Sequence, residues 1–435
     1  MKISTIRNNV NLSIALPGSK SITLRNLVLA ALADGTTEII SPCDCDDTRE
    51  MVDCLEKLGV PIETSEDYRR IAVEGRGGRF KEGRISLELG LSGTSARFLI
   101  ALSALRAGET HLKGTGSLNQ RTNAPLLNAV EQLGGETVSS NGGCLPVSIR
   151  GSETPGRAVR MNGDESSQFF SALLQIAPLL PGGLVINVEG ELVSRPYIDI
   201  TLNEMRKFGV DVANDAYRRF EVKPQRYLSG SRTVEGDASA GSYYAALALI
   251  HGGKAIYENL GSDTRQGDIR FLSICEQLGA HTRVAEDKIV VEGPKGGSIL
   301  PAGGDVYCGD IPDVALTLIA IAPLIPGTTR ITGIGTLKYK ECDRIECPAA
   351  ELRKIGVEVK TGPNYIEIGE LPGNATARRT VATLDIETYH DHRMAMSFAV
   401  LGTRLGNLNI LDPDVVGKTY PRFWKDLARV GGSVG

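Results

Sequence analysis

The chain repeats one short pattern six times. A helical stretch ending in glycine recurs as "CLEKLGV", "AVEQLGG", "EMRKFGV", "ICEQLGA", "ELRKIGV" and "DLARVGG", with its glycine at Gly59, Gly134, Gly209, Gly279, Gly356 and Gly431. Successive glycines lie 70 to 77 residues apart. A fixed period of that length marks a repeated structural unit. Glycine just past an amphipathic run suits the left-handed residue that ends a helix, and the residues after it read as a strand.

A second helix recurs about 35 residues after each of the first five glycines, an interval that identifies it as part of the same repeat. Its copies open with "GTSARFLIALSALRAG", "ESSQFFSALLQ", "DASAGSYYAALALIHGG", "IPDVALTLIAIAPLIPG" and "DHRMAMSFAVLGTRLG", and "KSITLRNLVLAALADG" is the sixth. These helices are apolar nearly all round, which predicts a buried, central position. Each unit therefore reads as helix, strand, helix and β-hairpin. The last copy runs out at Gly435, while Lys2 to Leu16 alternates like strand without a unit of its own. The N-terminal strands are expected to complete the sixth unit. A chain of 435 residues exceeds one hydrophobic core. Three units per domain follow: residues 20–237 in the first domain, residues 1–19 plus 238–435 in the second. The chain would cross between them near Lys20 and near Asp237.

Composition narrows the function. The chain is 41% hydrophobic and 23% charged, with a net charge of −4, so bulk nucleic-acid binding is not indicated. No apolar run reaches membrane-span length, and the N-terminus lacks the apolar core of a signal peptide, which predicts a cytoplasmic protein. The eight cysteines form no CxxC pair and the five histidines no zinc-finger spacing, so no metal site is predicted. His390 and His392 alone are too few ligands for one.

The polar residues fall at the starts of the apolar helices. Lys20 and Ser21 open the first, Gly93 and Thr94 the second, and Ser166, Ser167 and Gln168 the third. Asp237 and Ser239 open the fourth, Asp313 the fifth, and His392 with Arg393 the sixth. Helix N-termini carry unpaired N–H groups and the positive end of the dipole, so they suit anions. Thr94, Asp237 and Ser239 read as ordinary N-caps. Lys20, Arg25, Arg97 and Arg393 do not, because a cation there opposes the dipole unless an anion joins it. "PGSKS" lacks the second glycine of a Walker A loop, so a nucleotide is not the expected anion. "GRGGRF" at 75–80 reads as a turn between hairpin strands. "KYKECDRIE", Lys338 to Glu346, packs six charges into a loop feeding a helix, where function concentrates.

Together, "LPGSKS", "DDTREM", "GTSARFL", "SSQFFSALL", "LVSRPYIDITL", "VEGDAS", "QGDIRF", "IPDVALT", "KECDRI", "DHRMAM" and "KTYPRFW" resemble the 5-enolpyruvylshikimate-3-phosphate synthase family, in order and over nearly the whole chain. The resemblance implies an α/β (α+β) fold: two domains, each of three βαβαββ-type units around a pseudo-threefold axis with buried parallel helices, an inside-out α/β barrel. It implies transfer of an enolpyruvyl group from phosphoenolpyruvate to the 5-hydroxyl of shikimate 3-phosphate, with release of phosphate and without cofactor or metal. A monomer is expected.

By the same resemblance, Lys20 touches both substrates. Ser21, Arg25, Ser166, Ser167, Gln168, Ser194, Tyr197, Thr336 and Lys340 hold shikimate 3-phosphate. Gly93, Arg121, Gln168, Arg344, Arg393 and Lys418 hold phosphoenolpyruvate. Asp313 is the base for the hydroxyl, Glu341 the acid–base group at the methylene carbon, and His392 assists. Three positions depart from the family pattern: Leu91 and Thr336 stand where asparagine is usual, and Phe98 where proline is. The alternatives are the sister enolpyruvyl transferase acting on UDP-N-acetylglucosamine, and a catalytically silent anion-binding paralogue. The sister enzyme carries a reactive cysteine on the loop matching "GSLNQRTN", which has none here.

Overall fold

The computed structural model describes residues 1–371 and 383–431. All six repeat glycines have positive φ, between 81° and 102°, as a left-handed helix terminus requires. The helices they end are amphipathic. In Asp46–Lys57 the buried positions are Asp47, Thr48, Met51, Val52, Cys54 and Leu55, one face of a helix. The other six helices are Lys20–Leu32, Gly93–Ser103, Ser167–Ile176, Ala238–His251, Pro312–Ile321 and His392–Leu405. Every residue of Gly93–Ser103 and of Ala238–His251 is buried. These core helices sit in the middle of two separate hydrophobic cores.

The chain divides into two compact units, Gly18–Val234 and Met1–Pro17 with Glu235–Gly435. The crossings thus fall at Pro17/Gly18 and Val234/Glu235, a few residues ahead of Lys20 and Asp237. Within each unit the core helices run parallel, because side chains at matching depth meet. Arg25 reaches Ser171, Ser242 meets Thr317, and Asp313 pairs with Arg393.

A typical repeat begins with a strand, Ile85–Glu88, followed by its core helix and the parallel strand Thr110–Lys113. A surface helix, Ala124–Gln132, and the antiparallel hairpin Glu136–Asn141 and Cys144–Arg150 complete it. The lead-in strand adds to the helix, strand, helix and hairpin read from the sequence. At each crossing the lead-in strand and the next core helix lie in different units. Val10–Ile14 pairs in parallel with Gly253–Tyr257, and Ser231–Thr233 pairs in parallel with Asp34–Ile40. Each unit therefore takes its first lead-in strand from a remote part of the chain. Of the N-terminal strands expected to complete the sixth repeat, only Lys2–Ile3 joins it among the described residues, adding to Leu408–Ile410, because Val10–Ile14 is taken up by the fourth.

As an inside-out arrangement requires, the sheets do not close on one another: among the described residues, each repeat's strands hydrogen-bond only among themselves, giving five sheets of four strands and one of three. The helices fill the middle of each unit and leave the sheets on its faces. "GRGGRF" is not a hairpin turn. The hairpin joins Ile62–Thr64 to Arg70–Arg76, so Gly75 and Arg76 lie in a strand, and Gly77 and Gly78, both at positive φ, lead out of it.

Candidate active site

In the unit Gly18–Val234 the polar groups gather at the core-helix N-termini. Lys20 ion-pairs with buried Asp47 at 3.0 Å. Arg25 is fully buried and bonds Thr201 Oγ1 (2.8 Å), the Ser21 carbonyl (2.8 Å), the Tyr197 carbonyl (3.1 Å) and Ser171 Oγ (3.4 Å). Its guanidinium stacks on the Phe98 ring, 5.3 Å from the centroid. The departure at Phe98 thus supplies an aromatic face to a buried cation. Burial pushes Arg25 down to about 10, against the opposing charge of Glu204.

A second group surrounds Gly93. Arg97 donates to Gln168 Oε1 (3.1 Å) and to the Thr122 carbonyl (3.3 Å), and Gln168 donates to Thr94 Oγ1 (3.2 Å). A Cβ at Gly93 would fall 2.5 Å from Arg97 Nη1 and 2.6 Å from Arg121 Nη1. Glycine lets two guanidinium groups approach the helix start together, where donors and dipole already favour an anion. Arg121 Nε is buried and has no hydrogen-bond partner among the described residues. Ser166 caps its helix by accepting from Gln168 N. Ser167 follows it in the first turn. Ser194, left-handed at φ 52°, precedes the helix Arg195–Lys207, where Tyr197 lies. Thr94 is not the cap expected of it. Ser92 caps that helix, and Thr94 bonds across to Gln168.

In the other unit, Asp313 is the hub. Its Oδ1 lies 3.4 Å from Lys340 Nζ and 3.2 Å from Arg344 Nη1, and its Oδ2 lies 3.2 Å from Arg393 Nη2. Arg344 also holds Glu341 at 2.8 Å and fully buried Asp391 through two bonds, Nε at 2.7 Å and Nη2 at 3.1 Å. Lys418 Nζ stands 4.0 Å from Glu341. Burial opposes the charge of Arg344, but Asp391, Glu341 and Asp313 outweigh it and hold the guanidinium well above its ordinary range. Arg393 is raised likewise: burial opposes its charge, but Asp313, Tyr243 and Asp268 together outweigh it. Burial, then the cations Arg393, Arg344 and Lys418, pushes His392 well below its usual range against the pull of Glu341. Its ring is neutral, and neither nitrogen has a hydrogen-bond partner among the described residues. Thr336 lies partly buried in the one-turn helix Gly335–Tyr339, ahead of Lys340.

The structure adds residues that had no assigned role. Asp47 comes from "DDTREM" and Asp391 from "DHRMAM", so both were in view as motif letters. Asp391 both caps its helix, accepting from Arg393 N, and orients Arg344. Ser239, read as a cap, instead donates to Asp268 of "QGDIRF". Asp237 does cap, accepting from Ala240 N. Only a distant partner distinguishes these cases, and no local pattern reveals it. Among the described residues, no helix is long and apolar enough to cross a membrane.

Comparison with known proteins identifies the family and the fold. The model of the EPSP synthase (3-phosphoshikimate 1-carboxyvinyltransferase) family matches residues 4–427. The chain is 41% identical over 421 residues to the 3-phosphoshikimate 1-carboxyvinyltransferase of Shewanella denitrificans, spanning 96% of each chain. It is 40% identical over 425 residues to that of Cronobacter sakazakii, spanning 97% of this chain and 96% of the relative. Its fold is similar to the solved EPSP synthase of Acinetobacter baumannii, at a TM-score of 0.77 and 23% identity over 99% of this chain and 97% of that one. It is also similar to the enolpyruvyl transferase NikO of Streptomyces tendae, at 0.76 and 14% over 99% and 97%. At those identities the two structures speak for the fold alone.

Proposed function

The chain belongs to the EPSP synthase (3-phosphoshikimate 1-carboxyvinyltransferase) family, and from that premise we propose that it transfers the enolpyruvyl group of phosphoenolpyruvate to the 5-hydroxyl of shikimate 3-phosphate, as follows. A proton is added to the methylene carbon of phosphoenolpyruvate, and the hydroxyl attacks C2 to give a tetrahedral ketal. Loss of a methyl proton and of phosphate then yields the enol ether. The reaction needs a base at the hydroxyl, an acid–base group at the methylene carbon, and cations for the carboxylate and phosphate.

The observation that carries this reading is Asp313 in contact with Lys340, Arg344 and Arg393 while Arg344 also holds Glu341. Anion binding alone calls for the cations and not for two carboxylates set among them. In this unit Asp313 takes the hydroxyl proton, Lys340 lies by that hydroxyl, and Glu341 serves the methylene carbon. Arg344 and Arg393 turn their forks from Asp313 to the carboxylate of phosphoenolpyruvate, a planar match that lysine lacks. Lys418 takes its phosphate, Thr336 contributes to shikimate 3-phosphate, and His392 assists as a neutral imidazole.

In the other unit, Lys20 serves both substrates. Arg25 and Ser21 take the shikimate side, with Ser166, Ser167 and Ser194 for its phosphate and Tyr197 for its ring. Arg121 and the space at Gly93 accommodate phosphoenolpyruvate, and Gln168 serves both ligands. Arg97 joins this group through its bond to Gln168. The working form in this reading is a monomer in the cytoplasm.

Phosphate release from phosphoenolpyruvate, measured with each acceptor, tests the reaction. Release with shikimate 3-phosphate and none with UDP-N-acetylglucosamine is expected. Release with the sugar nucleotide alone would overturn it. Calorimetric binding of shikimate 3-phosphate without turnover would favour the silent paralogue.

A further inference from the structure

Asp268 is a buried carboxyl group that the reaction above leaves unused. It lies in the one-turn helix Gly267–Arg270, which packs on the core helix Ala238–His251. Its Oδ2 accepts a hydrogen bond from Ser239, in the first turn of that core helix. Its Oδ1 is buried with no hydrogen-bond partner among the described residues. An unpaired carboxylate oxygen in a protein interior is costly and calls for an explanation. The charged groups that act on it are Asp313 from the fifth core helix, Arg393 from the sixth, and Asp237 at the start of the fourth. Burial, and then the charge of Asp313, push its carboxyl up to about 7, while Arg393 and Ser239 pull the other way. The Cys308 thiol is also in electrostatic reach.

The neighbouring charges give this placement a purpose. Asp313 alone touches three cations within 3.4 Å. Cations that close favour a carboxylate's charged form and so weaken it as a proton acceptor. A base works best when its proton affinity lies near the working pH. A second negative charge close by restores that affinity, and it also offsets the charge of Arg393. With Asp268 ionised, the cations Lys340, Arg344, Arg393 and Lys418 are matched by Asp313, Glu341, Asp391 and Asp268.

Resting on the reaction proposed above, we propose that Asp268, held by Ser239, is a positioning residue: its carboxylate steadies Arg393 and keeps Asp313 basic enough to accept the hydroxyl proton. It touches neither substrate in this role and acts through those two side chains.

The test is the pH profile of kcat/KM for enolpyruvyl transfer by the whole enzyme, with Asp268→Asn beside the wild type. Asparagine keeps the shape and a partner for Ser239 but removes the charge. Asp313 then loses its proton more readily, so the acid limb moves to lower pH by about half a unit, and kcat on the plateau falls by up to about threefold. KM for shikimate 3-phosphate stays within about twofold, because Asp268 reaches no ligand, while KM for phosphoenolpyruvate rises, because Arg393 loses the charge that steadies it. A residue that only supports the fold would lower the active fraction and leave the limb in place. Ser239→Ala is the second variant. Without the hydroxyl, Asp268 holds its proton more tightly and carries less charge, so the limb moves in the same direction by less. An unmoved limb in both variants, at wild-type kcat, removes Asp268 from this role while leaving the reaction intact. A wild type without turnover would overturn the reaction and this inference with it.

Discussion

Replacing Gly93 by alanine separates the fold from the function. Gly93 opens the helix Gly93–Ser103 with ordinary helical backbone, so alanine fits the chain there. By helix propensity the change is neutral or favourable to stability by up to about 1 kcal/mol. Its Cβ, however, would lie 2.5 Å from Arg97 Nη1 and 2.6 Å from Arg121 Nη1. Ordinary contact needs about 3.5 Å, so both guanidinium tips retreat by about 1 Å. They are ends of flexible side chains and can do so without unfolding anything. A retreat of that size weakens two charge-assisted bonds to a ligand phosphate, each worth about 1.5–3 kcal/mol. Losing about half of that total raises KM for phosphoenolpyruvate by about 10- to 100-fold. Steady-state kinetics with phosphoenolpyruvate varied, and thermal unfolding of the same preparation, are the measurements. The expected result is a raised KM for phosphoenolpyruvate with an unchanged or higher Tm, and KM for shikimate 3-phosphate changed much less. A KM for phosphoenolpyruvate within twofold of wild type would refute the placement of an anion between Arg97 and Arg121. A fall in Tm would refute the claim that the guanidinium tips give way freely.

Asp313→Asn is expected to lower kcat by about 10²–10⁴-fold with calorimetric binding of shikimate 3-phosphate retained, and a near-wild-type kcat would remove it as the base. Asp391→Asn leaves the buried Arg344 guanidinium short of a charge partner, and urea unfolding should report a loss of about 3–5 kcal/mol. An unchanged midpoint would show that Glu341 and Asp313 suffice to hold Arg344. His251, buried and bonded to Thr403, is pushed down by burial to about 4. A group whose folded-state value is depressed contributes stability that is complete above its unfolded value near 6.5 and is lost as pH falls toward 4. Between pH 7 and pH 4.5 the wild type should lose about 2 kcal/mol more than His251→Gln, measured by urea unfolding at each pH. Equal losses would mean that the ring is not desolvated in the folded state.

Much of the architecture was legible because its signals are local. The six glycines announce themselves by a backbone angle that other residues adopt at a cost, and all six take it. The core helices carry their burial in an unbroken run of small and apolar residues, so Ala238–His251 could be placed inside without knowing its neighbours. The charged loop Lys338 to Glu346 marked itself by density, and the structure turns Lys340, Glu341 and Arg344 onto one cluster with Asp313. Local signals misled where a residue had two possible partners. Thr94 and Ser239 have the chemistry of caps, but each finds a better partner on another segment, Gln168 and Asp268.

By itself the sequence determined the repeat, its helix ends, the buried helices and most of the charged groups, because turn geometry and hydrophobic period are properties of neighbouring residues. Tertiary structure alone decided which strand completes which repeat, as with Val10–Ile14 joining Gly253–Tyr257 across more than half the chain. It also decided which carboxylates surround Arg344 and which act on Arg393. Strand pairing and electrostatics depend on distance in space, and the approach of two residues far apart in sequence is fixed only when both cores have packed.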